Sequence, residues 1–192
     1  MVNHKHKFLY LHLPKTGGTS INKFFNDRFN DNEFDFGHPY LSDYGNKISH
    51  YFKFTIVRNP YDRLVSAFFY MSKYSKFQSD INFRKHWKLK DDTFESFVIQ
   101  KLPKIVDDPK IRPRHFKPQV DFGTAGLNYV GSFNTIQKDI DYVCDELNIK
   151  RRNLPHANKS NHKEYHKYYT KELLDIVHNL YFEDFNNYDH LF

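Results

Sequence analysis

The sequence predicts an α/β fold in which helices flank a doubly wound parallel sheet. Apolar and aromatic stretches of strand length alternate along the chain with stretches of helical spacing, a pattern typical of a parallel sheet covered on both faces. The first strand runs into a glycine-rich turn that opens a helix, which makes the predicted sheet one of the P-loop type. The length of 192 residues fits one core, so we expect a single domain over residues 1–192.

The glycine turn separates the first strand from the first helix. Residues 7–13, KFLYLHL, are apolar and aromatic enough for a buried strand. Residues 19–29 place Ile21, Phe25 and Phe29 at helical spacing, which predicts a helix whose apolar face packs on the sheet.

The same alternation continues to the end of the chain. Strands are predicted at residues 52–57, FKFTIV, and at residues 127–133, LNYVGSF. Pro60 suits the first position of the helix that follows the second strand. Later helices are predicted at residues 135–147 and at residues 170–185, where apolar side chains recur on one face.

Three segments lack this periodicity and are predicted as surface loops, at residues 30–50, 73–92 and 103–126. A short helix is predicted between the last two, at residues 93–102. Long loops in compact domains are often functional, so we expect these three segments to shape the substrate pocket.

The composition limits which ligands the protein can bind and where in the cell it is expected. A net charge of +6 favours an anionic ligand such as a nucleotide, a nucleic acid or an acidic polysaccharide, without choosing among them. The single cysteine, Cys144, excludes an internal disulfide and a cysteine metal cluster. No run approaches the ~20 apolar residues of a membrane span, and the apolar run near the N-terminus is too short for a signal peptide. We therefore expect a cytoplasmic protein without a membrane span.

A candidate phosphate-binding loop follows the first strand, with the sequence PKTGGTS. Backbone N–H groups at a helix N-terminus point outward, and the helix dipole favours an anion there. Gly17 and Gly18 allow the backbone to approach a ligand closely, and Lys15 adds a full positive charge. The hydroxyl donors of the loop are Thr16, Thr19 and Ser20. Taken alone, the same residues also fit a glycine turn before a capped helix.

This loop differs from the nucleoside-triphosphate pattern GxxxxGK[ST], because Lys15 precedes the glycines. A kinase also needs an aspartate for Mg²⁺, normally at the end of a neighbouring strand. The second strand ends in Arg58 instead, and only Asp107 and Asp108 remain as candidates. A metal-dependent kinase is therefore disfavoured.

A second candidate anion site follows the second strand. Arg58 stands at the strand end, and Ser66 lies eight residues further on, in the next helix. Adjacent strand ends of a doubly wound sheet face the same crevice, where an arginine can hold a phosphate through two hydrogen bonds. Arg58 alone also fits a salt bridge at a strand end. Two separate anion sites predict a ligand that carries phosphate at both ends.

The segments LPKTGGTS and IVRNPYDRLVSAFFY together resemble the sulfotransferase superfamily, and more narrowly its carbohydrate branch, with the heparan 2-O- and chondroitin sulfotransferases. The resemblance implies 3′-phosphoadenosine 5′-phosphosulfate (PAPS) as sulfate donor, adenosine 3′,5′-bisphosphate as product, and no metal. It implies that residues 15–20 hold the 5′-phosphosulfate and that Arg58 and Ser66 hold the 3′-phosphate. The resemblance extends over nearly all of the chain, but Ser132 and Asn134 stand where relatives often carry Arg and Glu.

The resemblance also implies catalytic roles. The segment GHPYLSDY resembles the one that carries the family's histidine base, so His38 is expected to take the proton of an acceptor hydroxyl, on a carbohydrate in this branch. Lys15 is expected to stabilise the charge that grows on the leaving phosphate. His50 and His115 are the rival candidates for the base.

Two further segments carry expected ligand contacts. HFKPQ resembles a substrate-side segment, which implies substrate contacts for His115 and Gln119. Arg114 belongs to the basic stretch KIRPRHFK, which either attracts a glycan or is a solvated basic loop. In NKSNHK, Lys159 and Ser160 are expected to fold over the 3′-phosphate, as a late loop does in relatives.

Two other functions compete with sulfate transfer. A kinase of a small metabolite that uses ATP and Mg²⁺ shares the strand–loop–helix arrangement. A non-catalytic basic module that binds a nucleotide or nucleic acid fits the charge, although no nucleic-acid-binding motif is present. We expect no nucleic-acid partner.

Overall fold

The structure is a computed structural model that describes residues 1–33, 38–110, 114–155 and 162–192. Five strands form one sheet within these ranges. The strands are β1 (Val2–Asn3), β2 (Phe8–Tyr10), β3 (Asn32–Glu33), β4 (Phe52–Val57) and β5 (Tyr129–Ser132). The helices are α1 (Gly18–Asn26), α2 (Pro60–Phe69), α3 (Gln78–His86), α4 (Phe94–Gln100), α5 (Leu102–Asp107), α6 (Ile136–Glu146), α7 (Lys171–Leu180) and α8 (Phe182–Tyr188).

The sheet has the strand order β3-β1-β2-β4-β5. The pairs β2–β4 and β4–β5 are parallel, with Tyr10 opposite Phe54 and Val57 opposite Ser132. The parallel centre of the sheet is therefore confirmed. An antiparallel edge of β1 and β3 extends it, which the sequence analysis missed because strands of two residues carry no periodic signal.

The chain forms two compact units, and the sheet belongs to the first, which comprises Met1–Arg58, Gln119–Lys159 and His190–Phe192. One core cluster joins β2 and β4 to α1 and α6, through buried side chains that include Phe8, Phe25 and Ile140. A second, smaller cluster joins Val2 and Leu9 to the 3₁₀ segment Leu41–Ile48. The sheet of this unit therefore buries apolar side chains in two separate clusters.

The second unit comprises Asn59–Pro118 and Ser160–Asp189 and contains α2 to α5, α7 and α8. Its core is aromatic: the Phe97 ring lies 5.1 Å from that of Phe68 and 5.0 Å from that of Phe116. The prediction of one domain over residues 1–192 stays a prediction.

Three predicted loops contain regular structure. The segment 73–92 holds α3, and the segment 103–126 holds most of α5 and two 3₁₀ turns, Val120–Phe122 and Thr124–Gly126. The segment 30–50 holds β3 and the 3₁₀ segment Leu41–Ile48. The helix α3 was missed because it is mostly polar, and α5 because its six residues are too few to show a helical period; its Pro103 lies in the first turn, where helices tolerate proline.

The predicted helix at residues 170–185 is two helices, α7 and α8. They meet at Tyr181, whose backbone angles, φ −115° and ψ 25°, are not helical. Shorter turns complete the chain, at Tyr70–Tyr74, Leu89–Asp91, Phe133–Thr135, Tyr165–Tyr168 and Asp189–Leu191. Across the described ranges, no helix combines the length and the apolar character that crossing a membrane requires.

Candidate active site

Three strand ends meet at one edge of the sheet in the first unit. Because β2, β4 and β5 are parallel and adjacent, the segments that follow them lie side by side. The strand β2 leads into the loop with Lys15, β4 leads into Arg58, and β5 leads into Phe133. This edge is where the sequence predicts a phosphate site.

The loop after β2 turns sharply onto α1. Lys15 and Gly17 both have positive φ, of 68° and 88°, and Gly17 is the N-cap of α1. The carbonyl of Gly17 accepts hydrogen bonds from the N–H groups of Ser20 and Ile21, at 3.0 and 3.3 Å. The hydroxyl of Thr16 turns inward and donates to the carbonyl of Leu13 at 3.0 Å, so this side chain braces the loop. A phosphate contact by Thr16, Thr19 or Ser20 stays a prediction.

Side chains packed against the loop leave no room for a Cβ at Gly17 or Gly18. A Cβ on Gly17 would lie 2.8 Å from Cδ1 of Ile136, at a positive φ that favours glycine. A Cβ on Gly18 would lie 1.8 Å from Nε2 of His12, which is impossible without displacing that ring. Both glycines were expected to allow the close approach of a ligand, but the protein's own side chains already exclude a Cβ at each position.

Arg58 reaches the loop directly. Its Nη1 donates a hydrogen bond to the carbonyl of Lys15 at 3.1 Å, and its guanidinium lies 4.3 Å from the centre of the Phe133 ring. The residue is 8% exposed. Guanidinium stacking on an aromatic ring is favourable when it is shielded from water, and the contact restricts the orientation of the planar group.

Gln119 holds the backbone of Arg58. Its side-chain carbonyl accepts from the Arg58 N–H at 2.9 Å, and its side-chain N–H donates to the Arg58 carbonyl at 3.0 Å. Gln119 is completely buried. Gln119, which was expected to contact substrate, therefore fixes the backbone of Arg58. A substrate contact by Gln119 stays a prediction.

Burial and a neighbouring cation, Arg58, make Lys15 easier to deprotonate. Burial and the neighbouring Arg58 lower the pKa of Lys15 from its usual value of 10.5 to about 8. A positive group that lowers the proton affinity of its neighbour repels it, and an anion bound beside the two offsets that repulsion. The electrostatics of the loop therefore fit a phosphate or sulfate ligand.

His38 is held beside the same loop. Its Nδ1 donates a hydrogen bond to the carbonyl of His12 at 3.0 Å, and the two imidazole rings meet edge to face, 4.6 Å apart. Because a carbonyl can only accept, the proton of a neutral His38 lies on Nδ1 and the lone pair on Nε2. This arrangement provides a basic nitrogen on an oriented ring.

The rival histidine His50 is placed elsewhere. It precedes β4, whereas Arg58 follows that six-residue strand, so His50 lies at the opposite edge of the sheet. Its ring contacts that of Tyr51 at 4.9 Å. This position is incompatible with a base that acts beside Lys15.

The remaining predicted residues lie outside the first unit or outside the described residues. Ser66 is buried in α2, and Arg114 and His115 are buried in the second unit. The ring of His115 stacks on Tyr70 at 5.2 Å, and its carbonyl accepts from Nη1 of Arg63 at 3.4 Å. The structure therefore replaces the expected open basic loop at Arg114 and His115 with buried side chains. Lys159 and Ser160 lie outside the described residues.

Two residues that contribute to this site, His12 and Phe133, were not predicted from the sequence. His12 was included only in the strand predicted at residues 7–13, although a polar residue at a strand end beside a glycine loop is a usable signal. Phe133 was read as part of the third strand, but it begins the turn after β5.

Comparison with known proteins identifies the family of the chain. A family model described as the sulfotransferase family matches residues 1–190, nearly the whole chain. Neither a curated protein nor a solved structure matches the sequence.

Proposed function

The chain belongs to the sulfotransferase family, whose members are PAPS-dependent enzymes, and we propose that it moves a sulfuryl group from PAPS to a hydroxyl on a carbohydrate. The observation that carries this proposal is the hydrogen bond from Arg58 to the carbonyl of Lys15. It joins the two cationic residues of the predicted donor site, through the backbone of Lys15, at one edge of the sheet.

The residues present fit an anionic donor. Lys15 and Arg58 bring two positive charges together, and the lowered pKa of Lys15 reflects burial first and then repulsion by Arg58. The N-terminus of α1 adds outward backbone N–H groups and a favourable dipole. We propose that Lys15 and residues 16–20 hold the phosphosulfate of PAPS. Arg58 and Ser66, with Lys159 and Ser160, are assigned to its 3′-phosphate.

PAPS supplies an activated sulfuryl group on a phosphate that leaves as adenosine 3′,5′-bisphosphate. The protein has to stabilise negative charge on the leaving side and to remove a proton on the attacking side. Lys15 stabilises the negative charge on the leaving phosphate, because a pKa of about 8 keeps roughly nine-tenths of the lysine charged at pH 7.

His38 removes the proton of the attacking hydroxyl. With Nδ1–H donated to the carbonyl of His12, its Nε2 is the nitrogen that accepts the proton of the acceptor hydroxyl. Proton removal and leaving-group stabilisation are thereby assigned to two residues of the same sheet edge. We assign acceptor contacts to Arg114, His115 and Gln119.

Thermal unfolding with ligands tests the donor site. Adenosine 3′,5′-bisphosphate should raise the melting temperature more than adenosine 5′-monophosphate, because only the bisphosphate carries both charged ends. Arg58→Gln should abolish the difference between the two nucleotides. A rise with ATP and Mg²⁺ but none with the bisphosphate would contradict the proposal and favour a kinase.

Transfer itself is tested with radiolabelled PAPS and a panel of hydroxyl acceptors. The panel should contain a sulfated glycan, a neutral glycan, a lipid-linked sugar and a small hydroxylated metabolite. Label in either glycan supports a carbohydrate acceptor, and label confined to the metabolite excludes it.

A further inference from the structure

The side chain of His12 fills the space between the phosphate loop and His38. Its Nε2 lies 1.8 Å from the position that a Cβ on Gly18 would take. One side of its ring lies near the Tyr10 ring, at 5.7 Å and 20° between planes. It meets the His38 ring at 4.6 Å and 77°. His12 thus contacts the first residue of α1 and the imidazole of His38 at once.

We propose that His12 is a positioning residue that fixes the imidazole of His38 relative to the phosphate loop. The inference rests on the proposed function, because it takes His38 as the base. His12 holds His38 in two ways, with its carbonyl at Nδ1 and with its ring against the imidazole.

The backbone of His38 needs such support. Its φ of 55° lies in the left-handed region, which a residue with a side chain adopts only when the surrounding structure imposes it. A base held in this way keeps its lone-pair nitrogen in a defined direction, and small misplacements of reacting groups reduce rates severely. Contacts from a residue adjoining the phosphate loop couple the base to the donor site.

The charge state of His12 suits this role. Burial, followed by the positive charges of His38, the amino terminus and Lys15, lowers the pKa of His12 well below its usual value, although part of the residue remains accessible to solvent. His12 is therefore neutral when the base operates, and its ring adds no positive charge beside His38.

Histidine ¹⁵N NMR on the full chain without donor reads the proposed arrangement directly. In the wild type, the His38 signals should show the proton on Nδ1. His12→Ala keeps the backbone carbonyl and removes only the ring, so the signals should move toward the form with the proton on Nε2 because the ring no longer holds the imidazole against that carbonyl. His86→Ala is the control, because His86 is exposed on α3, and it should leave the His38 signals unchanged. A wild-type His38 with its proton on Nε2 would overturn the inference without any variant.

Kinetics separate positioning from donor binding. His12→Ala should lower kcat at least tenfold and change the Kd for adenosine 3′,5′-bisphosphate less than threefold. His12→Asn, which keeps a planar polar group, should recover part of kcat. Equal kcat in wild type and His12→Ala would overturn the inference. If the wild type transfers no sulfate, the proposed function fails instead, while the NMR result still decides the placement of His38.

A second variant pair guards against loss of folding. Gly18→Ala should lower the melting temperature because its Cβ collides with the His12 ring. Adding His12→Ala should restore part of that loss by removing the ring. If the double variant is no more stable than Gly18→Ala, His12 does not occupy the proposed space, and the inference is wrong.

Discussion

Nη1 of Arg58 donates a hydrogen bond to the carbonyl oxygen of Lys15 across 3.1 Å. This contact joins the end of β4 to the loop that follows β2, and it brings the guanidinium beside the lysine whose pKa it helps to lower. The two cations expected to hold opposite ends of one donor are therefore neighbours, and their coupling has measurable consequences.

The first prediction concerns pH. Lys15, with a pKa of about 8 in the free protein, loses its charge as the pH rises through 8, so affinity for adenosine 3′,5′-bisphosphate should fall above that pH. The bound anion favours the charged lysine, which is about half deprotonated at pH 8, so binding at that pH should take up about half a proton per site. Calorimetry in two buffers with different ionisation enthalpies measures this uptake.

Lys15→Met is the matched variant for proton uptake and should abolish it. The folding free energy supplies an independent check with its own sign. Between about pH 8 and 10.5 the unfolded lysine holds a proton that the folded one has lost, so this group's contribution to stability rises with pH through that window. Binding without proton uptake at pH 8 would contradict the assignment.

The second prediction concerns the shape of the cation at residue 58. Arg58→Lys keeps the charge but loses the planar fork that both bonds Lys15 and stacks on Phe133. The Kd for adenosine 3′,5′-bisphosphate should rise about tenfold, or ~1.4 kcal/mol. Arg58→Gln, without charge, should weaken binding by about one further factor of ten. Equal affinity in the wild type and in Arg58→Lys would contradict a guanidinium-specific contact.

The third prediction separates the base from donor binding. His38→Ala should lower turnover by ~10²–10⁴-fold, the usual contribution of a general base, and leave bisphosphate affinity nearly unchanged. His115→Ala is the comparison, because His115 is the remaining rival. If His38→Ala keeps near-normal turnover and His115→Ala does not, the base has been assigned to the wrong histidine.

The fourth prediction concerns Gly17, where two costs can be separated. Gly17→Ala combines an unfavourable positive φ with a collision at Cδ1 of Ile136, so the free energy of unfolding should fall by ~2–4 kcal/mol. Ile136→Val removes Cδ1, so Gly17→Ala should cost less in an Ile136→Val background than in the wild type. Chemical denaturation measures both losses, and equal losses would show that the collision is relieved at no cost.

The sequence predicted the relationships that follow from regular structure. The strand at residues 52–57 has the predicted bounds, and the neighbouring ends of parallel strands bring Arg58 to Lys15 as expected. Alternation of apolar residues places such segments because it depends only on local spacing. The glycine loop was recognised for the same reason, since a strand, a turn and a helix follow one another directly.

The contacts that orient the site could not be predicted in this way. His12 and His38 are 26 residues apart, and their hydrogen bond depends on the path of the intervening chain. The position of Gln119 against Arg58 is equally non-local. A resemblance at the level of motifs placed Gln119 on the substrate side, but it carries no information on the bonds between its amide and the backbone of Arg58.

The last prediction concerns Asp139, which organises the turn after β5. Its carboxylate accepts hydrogen bonds from the Ser132 N–H at 3.1 Å, the Thr135 hydroxyl at 2.7 Å and the Tyr129 hydroxyl at 2.5 Å. This turn carries Phe133, whose ring supports Arg58. Asp139→Asn replaces one accepting oxygen with an N–H₂ group that faces donors, so the free energy of unfolding should fall by ~1–3 kcal/mol.

Because the same turn supports Arg58, Asp139→Asn should also weaken bisphosphate binding, although Asp139 itself is assigned no ligand contact. Asp141→Asn on the same helix is the control, because Asp141 accepts a hydrogen bond only one turn away, from Gln137 at 2.9 Å. The control should change stability by less than ~0.5 kcal/mol and leave binding unaltered. If Asp139→Asn loses stability but keeps full bisphosphate affinity, the turn does not position Arg58, and Phe133 is a packing residue alone.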